Sequence, residues 1–141
     1  MGIAKELVDR QHQLLRQRNL AAVPELYTPD AVFLMPGLRV RRHELPALMQ
    51  AYLAAFPDAD NQVTGWIEAP DGIAVEQTIT GTHNGTWATP FGELVATGKR
   101  VRWESVEIVR VRDGKIASWR SYFDQLEAPT ALGIAPGPPT Q

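Results

Sequence analysis

Between residues 99 and 124 the chain reads KRVRWESVEIVRVRDGKIASWRSYFD, two alternating runs either side of Asp113-Gly114. Alternation is the strand period, because successive side chains point to opposite faces. The Asp-Gly pair favours a tight type I′ hairpin turn. One face of the first strand carries Val101, Trp103, Ser105, Glu107, Val109 and Val111, and the other Arg100, Arg102, Glu104, Val106, Ile108, Arg110 and Arg112. The first set is the core face. On the returning strand the more apolar set is Ala117, Trp119, Ser121 and Phe123, against Ile116, Ser118, Arg120, Tyr122 and Asp124. Glu107 is the only charge on the apolar face of the first strand, and it sits in mid-strand. A buried carboxylate is costly unless it is paired, hydrogen-bonded or protonated. Glu107 therefore needs a partner, or a place that water or a ligand reaches.

Elsewhere the period shifts. Ile3, Leu7, Leu14 and Leu15 recur at helical spacing, predicting an amphipathic helix over residues 3–18 with His12 beside its apolar stripe, at the core edge or in solvent. A short helix is expected over 23–27, ending at Thr28-Pro29-Asp30, then a buried strand over 31–36 stopped by Pro36-Gly37. Residues 38–42 read as a short basic extended stretch whose Arg39, Arg41 and Arg42 form a solvated edge rather than an anion clamp. The next helix covers 43–56, with Pro46 tolerated in its first turn and Leu45, Leu48, Met49, Tyr52, Leu53 and Phe56 on its buried side. Strands follow over 61–68 and 73–83, separated by Asp71-Gly72. The second puts Ile73, Val75, Gln77, Ile79, Gly81 and His83 on one face. Residues 84–98 read as a Gly/Thr/Pro-rich loop carrying Trp87 and Phe91, long enough to border a cavity mouth. After a short turn over 125–132, the ending GIAPGPPTQ is expected to be mobile. Helices, a strand, a helix and a meander of long strands imply an α+β fold, a curved antiparallel or mixed sheet with N-terminal helices on its concave face. Such a sheet encloses a cone-shaped hydrophobic pocket lined by its inner residues, among them Phe33, Gln77, Trp103, Ser105 and Trp119, with Tyr52 from the covering helix.

Composition narrows the function. The 141 residues make one domain, taken as 1–128, with a Pro/Gly-rich tail over 129–141. A net charge of −2 argues against a nucleic-acid partner. No run approaches the ~20 apolar residues of a membrane span. The absence of cysteine removes thiolate ligands and nucleophiles and fits a cytoplasmic location. His12, His43 and His83 are scattered with no ligand spacing, so no metal site and no cofactor are expected.

The stretches LYTPDAVF (26–33), AAFPDAD (54–60), TGTHNG (80–85), TPFGE (89–93) and VEIVRVRDGKIASWRSYFD (106–124) resemble the SnoaL-like polyketide cyclases of the nuclear-transport-factor-2-like superfamily. The resemblance implies a cone-shaped α+β barrel around a hydrophobic pocket, in a homodimer or higher homo-oligomer. It further implies ring closure by intramolecular aldol condensation without cofactor or metal, an aspartate acting as acid/base beside a histidine and polar neighbours. Aligned on the DGKI hairpin, the aspartate's position falls on Ser121, the histidine's on Glu107 and a glutamine's on Ser105, all on the face assigned inward by alternation.

Glu107 has two readings. As a general base its pKa is raised by desolvation towards neutrality, with Ser105, Ser121, Gln77 or His83 donating to a developing enolate oxygen. Alternatively, the same donors hold a buried glutamate that binds nothing. His83 either lines the pocket or closes the strand end against the loop, while Asp124, opposite to Ser121, is structural. Trp103 and Trp119 are core aromatics first and pocket walls second. On the outer face Val106, Ile108 and Tyr122 suggest a surface for a second copy. Three functions stay open: an acid/base cyclase or isomerase with Glu107 and Ser121 as catalytic groups, a non-catalytic binder of hydrophobic molecules, and a SnoaL-like hydroxylation component working with a reductase.

Overall fold

The hairpin at Asp113-Gly114 forms the middle of the sheet. Both turn residues have positive φ, 54° and 72°, as a type I′ turn requires, and Gly114 takes its value without strain. The computed structural model describes residues 2–89 and 92–133. In chain order it contains α1 (Ile3–Arg16), a 3-10 turn (Leu20–Leu26), β1 (Tyr27–Met35), β2 (Leu38–Arg41), a second 3-10 turn (Arg42–Glu44) and α2 (Leu45–Ala55). Then come β3 (Asp60–Ala69), β4 (Gly72–Thr82), β5 (Trp87–Thr89), β6 (Gly92–Leu94), β7 (Arg100–Arg112), β8 (Lys115–Phe123) and α3 (Glu127–Ala131).

Six strands form one curved sheet in the order β2-β1-β8-β7-β4-β3, antiparallel throughout except for the parallel pair β1 and β8. The sheet is mixed and open; β2 and β3 are free edges, so the expected barrel does not close. α1 crosses the concave face, contacting β3, β4, β7 and β8. Its Ala4, Leu7, Val8, Leu14 and Leu15 join Val75, Val109 and Trp119 in the main core. A second apolar cluster gathers Ala55, Phe56, Ile79, Val101, Trp103, Ala128 and Leu132 at the other end of the sheet. Tyr52 of α2 packs against both.

The structure departs from the sequence expectations at four places, two of them through shifts of strand register. β1 begins at Tyr27, earlier than expected, because its pairing with β8 shifts register between Tyr27 and Val32. Pro29 falls inside that irregularity, where its missing N–H breaks no ladder bond. A second shift lies between Arg110 and Val111 and inserts one extra residue into β8. Ile116, assigned outward by strict alternation, is thereby turned inward and fully buried. Within the expected loop over 84–98, β5 and β6 pair as a small antiparallel hairpin; Phe91 lies outside the described residues. Residues 129–133, assigned to the tail, continue α3 and bury Pro129 and Leu132, while 134–141 lie outside the described residues.

Besides its apolar packing, the end of α2 is fastened by backbone hydrogen bonds to the segment that follows β4. Ala55 O accepts from both Asn84 N and Gly85 N at 3.1 Å. A Cβ on Gly85 would stand 1.9 Å from Ala54 O, which no rotamer relieves. Gly85→Ala is expected to destabilise the fold by about 1–3 kcal/mol through forced backbone displacement. Urea unfolding followed by far-ultraviolet circular dichroism checks this, with an unchanged midpoint as the contrary result.

Candidate functional site

Glu107 is directly opposite Ser121 on β8 and Val75 on β4; Gln77 and Trp119 are diagonal neighbours, and Ser105 is two residues back on β7. All share the inner face, so the strand register alone brings every one within reach of the carboxylate. Gln77 Nε2 donates to Glu107 Oε1 at 2.7 Å, Ser105 Oγ at 3.0 Å and Ser121 Oγ at 3.1 Å. Trp119 Nε1 donates to Oε2 at 2.9 Å. Oε1 is thus saturated, while Oε2 keeps lone-pair capacity.

The carboxyl is 3% exposed, and every one of these partners is neutral. Burial pushes its pKa from an ordinary 4.5 up to about 7, and the bonds from Ser121, Ser105, Trp119 and Gln77 pull the other way. Desolvation wins because dipoles compensate a buried charge only in part. The result is a carboxyl poised to exchange a proton near neutral pH.

Aromatic rings enclose it. Phe33 stacks on Trp119 with centroids 6.2 Å apart and planes at 22°. His12 meets the same indole edge-on at 6.3 Å. Tyr52 lies further along α2, donating to Asn61 Oδ1 at 3.1 Å; its hydroxyl pKa is raised by burial, then by Asp60, with a contribution from Glu107.

Two expected members stand apart. Trp103 belongs to the second apolar cluster, stacked on Trp87 at 6.2 Å and tilted against Phe56 at 5.4 Å. His83 is six residues along the chain from Gln77, about 20 Å of strand, so it does not reach Glu107. It is fully buried, with Nδ1 3.0 Å from Thr97 Oγ1, and packs on Phe56 at 5.5 Å. Asp124 is exposed, and its Oδ1 accepts from Leu126 N at 2.9 Å, shaping the turn into α3.

One residue at the site was not expected there. His12 is 5% exposed, not at the core edge. Its position between Val8 and Leu15 on the buried stripe of α1 was the available signal. Burial lowers its pKa to about 4, with Arg16 next in effect, so the imidazole is neutral.

The fold is that of the nuclear-transport-factor-2-like and ketosteroid-isomerase-like proteins. The chain belongs to the SnoaL-like polyketide cyclase family, whose model matches residues 5–132. Among solved structures, AclR, a candidate hydroxylase from Streptomyces galilaeus, is 27% identical over 92% of this chain and 85% of its own, with a TM-score of 0.69. IdmH, a candidate polyketide cyclase from Streptomyces antibioticus, is 23% identical over 93% of this chain and 99% of its own, with a TM-score of 0.76. A protein with a ketosteroid isomerase-like fold from Catenulispora acidiphila, solved with trimethylamine, is 16% identical over 92% and 94%, with a TM-score of 0.76. No curated relative matches the sequence. Among the described residues no helix is long and apolar enough to cross a membrane, and no three His, Asp or Glu side chains gather as metal ligands.

The two displaced pKa values act on stability with opposite sign. The folded state holds a proton on Glu107 between 4.5 and about 7, where the unfolded chain does not, so stability is lost as pH rises through that window. The unfolded chain holds a proton on His12 between about 4 and 6.5, where the folded state does not, so stability is lost as pH falls. In wild type the two slopes oppose each other over the shared range. Glu107→Gln removes the Glu107 term and leaves the others in place, so stability relative to wild type should rise by about 3 kcal/mol from acid to neutral pH. Urea midpoints of both proteins at several pH values measure the difference.

Proposed function

We propose that this protein is a small cofactor-independent acid/base enzyme acting on a hydrophobic, polyketide-like carbonyl substrate, with Glu107 as the base. The observation that carries this is the carboxyl itself: buried, surrounded by neutral donors, with burial pushing its pKa up to about 7. An isolated structural glutamate gains nothing from being held between its two protonation states, whereas a general base does. Membership of the SnoaL-like polyketide cyclase family supports the substrate class.

In this reading Glu107 Oε2 removes a proton from the carbon next to a carbonyl, leaving an enolate. The enolate carbon attacks a second carbonyl of the same molecule, one C–C bond forms as the C=O π bond breaks, and the new alkoxide takes the proton back from Glu107, restoring the carboxylate. As Glu107 becomes neutral, Oε1 demands fewer donors, and the rotatable hydroxyls of Ser121 and Ser105 turn to the enolate oxygen. Half-buried Phe33 and Tyr52 give way to admit the substrate beside Trp119. Trp103 and His83 bind the distal end of an extended substrate. The chemistry uses no metal or cofactor and suits a cytoplasmic enzyme. A second reading, a hydroxylation component, is favoured by the likeness to AclR.

Deuterium uptake next to the carbonyl, followed by NMR across a panel of hydrophobic ketones and diketones, tests the base. The rate should rise with pH to a plateau with a midpoint at about 7, since the anion is the active form. Glu107→Gln should slow uptake by about 10²–10⁴-fold and keep ligand binding, read by tryptophan fluorescence. Binding without uptake in wild type makes the protein a carrier or a hydroxylation component instead.

We also propose a homodimer formed through the outer face of the sheet. Val106 and Tyr122 pair across β7 and β8 there and are 38% and 54% exposed, beside a groove of about 180 Å³ lined by Thr64, Glu76 and Glu104. Val106→Asp with Tyr122→Asp should convert the dimer to a monomer with unchanged circular dichroism. Light scattering decides, and a wild-type monomer sinks the idea.

A further inference from the structure

His12 has no part in the acid/base steps above, yet it touches the network that holds the base. Its imidazole interacts with the side-chain amide of Gln77, an interaction that favours the protonated ring but is outweighed by burial. Neither His12 Nε2 nor Gln77 Oε1 has a hydrogen-bond partner of ordinary geometry, and both atoms are buried. One is a possible donor and the other an acceptor. Buried polar atoms are seldom left unmet, and here a possible donor and an acceptor are left over on two side chains that both adjoin the Glu107 network, His12 through Trp119 and Gln77 directly.

The amide of Gln77 serves both an ionised Glu107 and an Nε2–H imidazole in only one of its two orientations. Its NH₂ group donates to Glu107 Oε1 at 2.7 Å, which leaves its carbonyl oxygen for His12. Turned by 180°, the same amide would set its oxygen against Glu107 and its NH₂ against an Nε2–H. That orientation repels an ionised carboxylate but accepts a bond from a protonated one.

We propose that His12 is a positioning residue for Glu107: as the Nε2–H tautomer it donates to Gln77 Oε1 and locks the amide with its NH₂ towards the carboxylate. α1 thereby keeps the site in its proton-accepting form. The catalytic sense of this rests on Glu107 being the base, whereas the hydrogen-bond arrangement does not. The titratable and charged groups around the pair are few. Lys5, Asp9 and Arg16 of α1 act on His12. Tyr27 of β1 and Tyr52 of α2 feel the charge of Glu107, and β4, β7 and β8 contribute the neutral Gln77, Ser105, Ser121 and Trp119.

The test needs no substrate. Long-range ¹H–¹⁵N spectra of the full chain should show His12 as the Nε2–H tautomer, unchanged from pH 5 to 8. In His12→Phe the freed amide turns, the protonated carboxyl gains an acceptor, and the Glu107 midpoint in ¹³C titration should rise by about one pH unit. His12→Gln, which keeps a donor, should return it towards the wild-type value, a rescue that a purely space-filling role does not give. An Nδ1–H tautomer, or the same Glu107 midpoint in His12→Phe as in wild type, overturns the proposal. Should His12→Phe fail to fold, Gln77→Leu serves instead, because the His12 tautomer population must then change, and an unchanged one also overturns it. These spectra are read whether or not deuterium uptake is found, so the base assignment and the His12 assignment fail separately.

Discussion

Glu107 occupies the middle of the inner face of β7, an interior strand, and a carboxylate there is tolerated only with donors on several sides. That requirement shapes its surroundings. The residue two back, the residue across β8 and the diagonal residues on β4 and β8 are Ser105, Ser121, Gln77 and Trp119, and each directs a donor at it. Replacing any one by an apolar residue of similar size leaves the carboxylate short of a partner in a medium that punishes the deficit. The sequence of three strands is therefore tied to one side chain.

The same polar patch divides the core. On one side Val75, Val109, Trp119 and the stripe of α1 form the larger apolar cluster; on the other Ile79, Val101, Trp103, Phe56 and Leu132 form the smaller. A seam of hydrogen-bonded groups between two greasy halves is a weak place for pure packing, because its stability depends on every bond being made. It is a strong place for chemistry, because the donors are already oriented and water is excluded. Tyr52, which touches both halves, and Phe33, stacked on the indole that serves Oε2, stand where access to the seam is decided.

Neutral His12 and half-protonated Glu107 lie on opposite sides of the Gln77 amide, one displaced downward and the other upward by the same cause, burial. Their pH dependences oppose each other between about pH 4.5 and 6.5, below the point at which Glu107 exchanges its proton.

Alternation along residues 99–124 was enough to place Glu107, Ser105, Ser121 and Trp119 on one inner face, and alternation along 73–83 added Gln77, because a strand's period is two. It also identified the long strands and the exposed pair Val106 and Tyr122; helical spacing identified α1 and α2, whereas α3 was read as a short turn. It failed wherever the period slipped: the extra residue in β8 that buries Ile116, the irregularity at Pro29 and the short hairpin in the 84–98 loop. Distance along a strand separated His83 from Glu107, which a shared face does not reveal. The apolar stripe of α1 could point to the burial of His12 but not to its meeting with Trp119 and Gln77, since which buried helix residue meets which strand depends on how α1 crosses the sheet. Local periodicity thus determined the faces and the carboxylate with its donors. Tertiary packing decided the second histidine, the two-part core and the acidity of the site, because burial and long-range contact belong to no single segment.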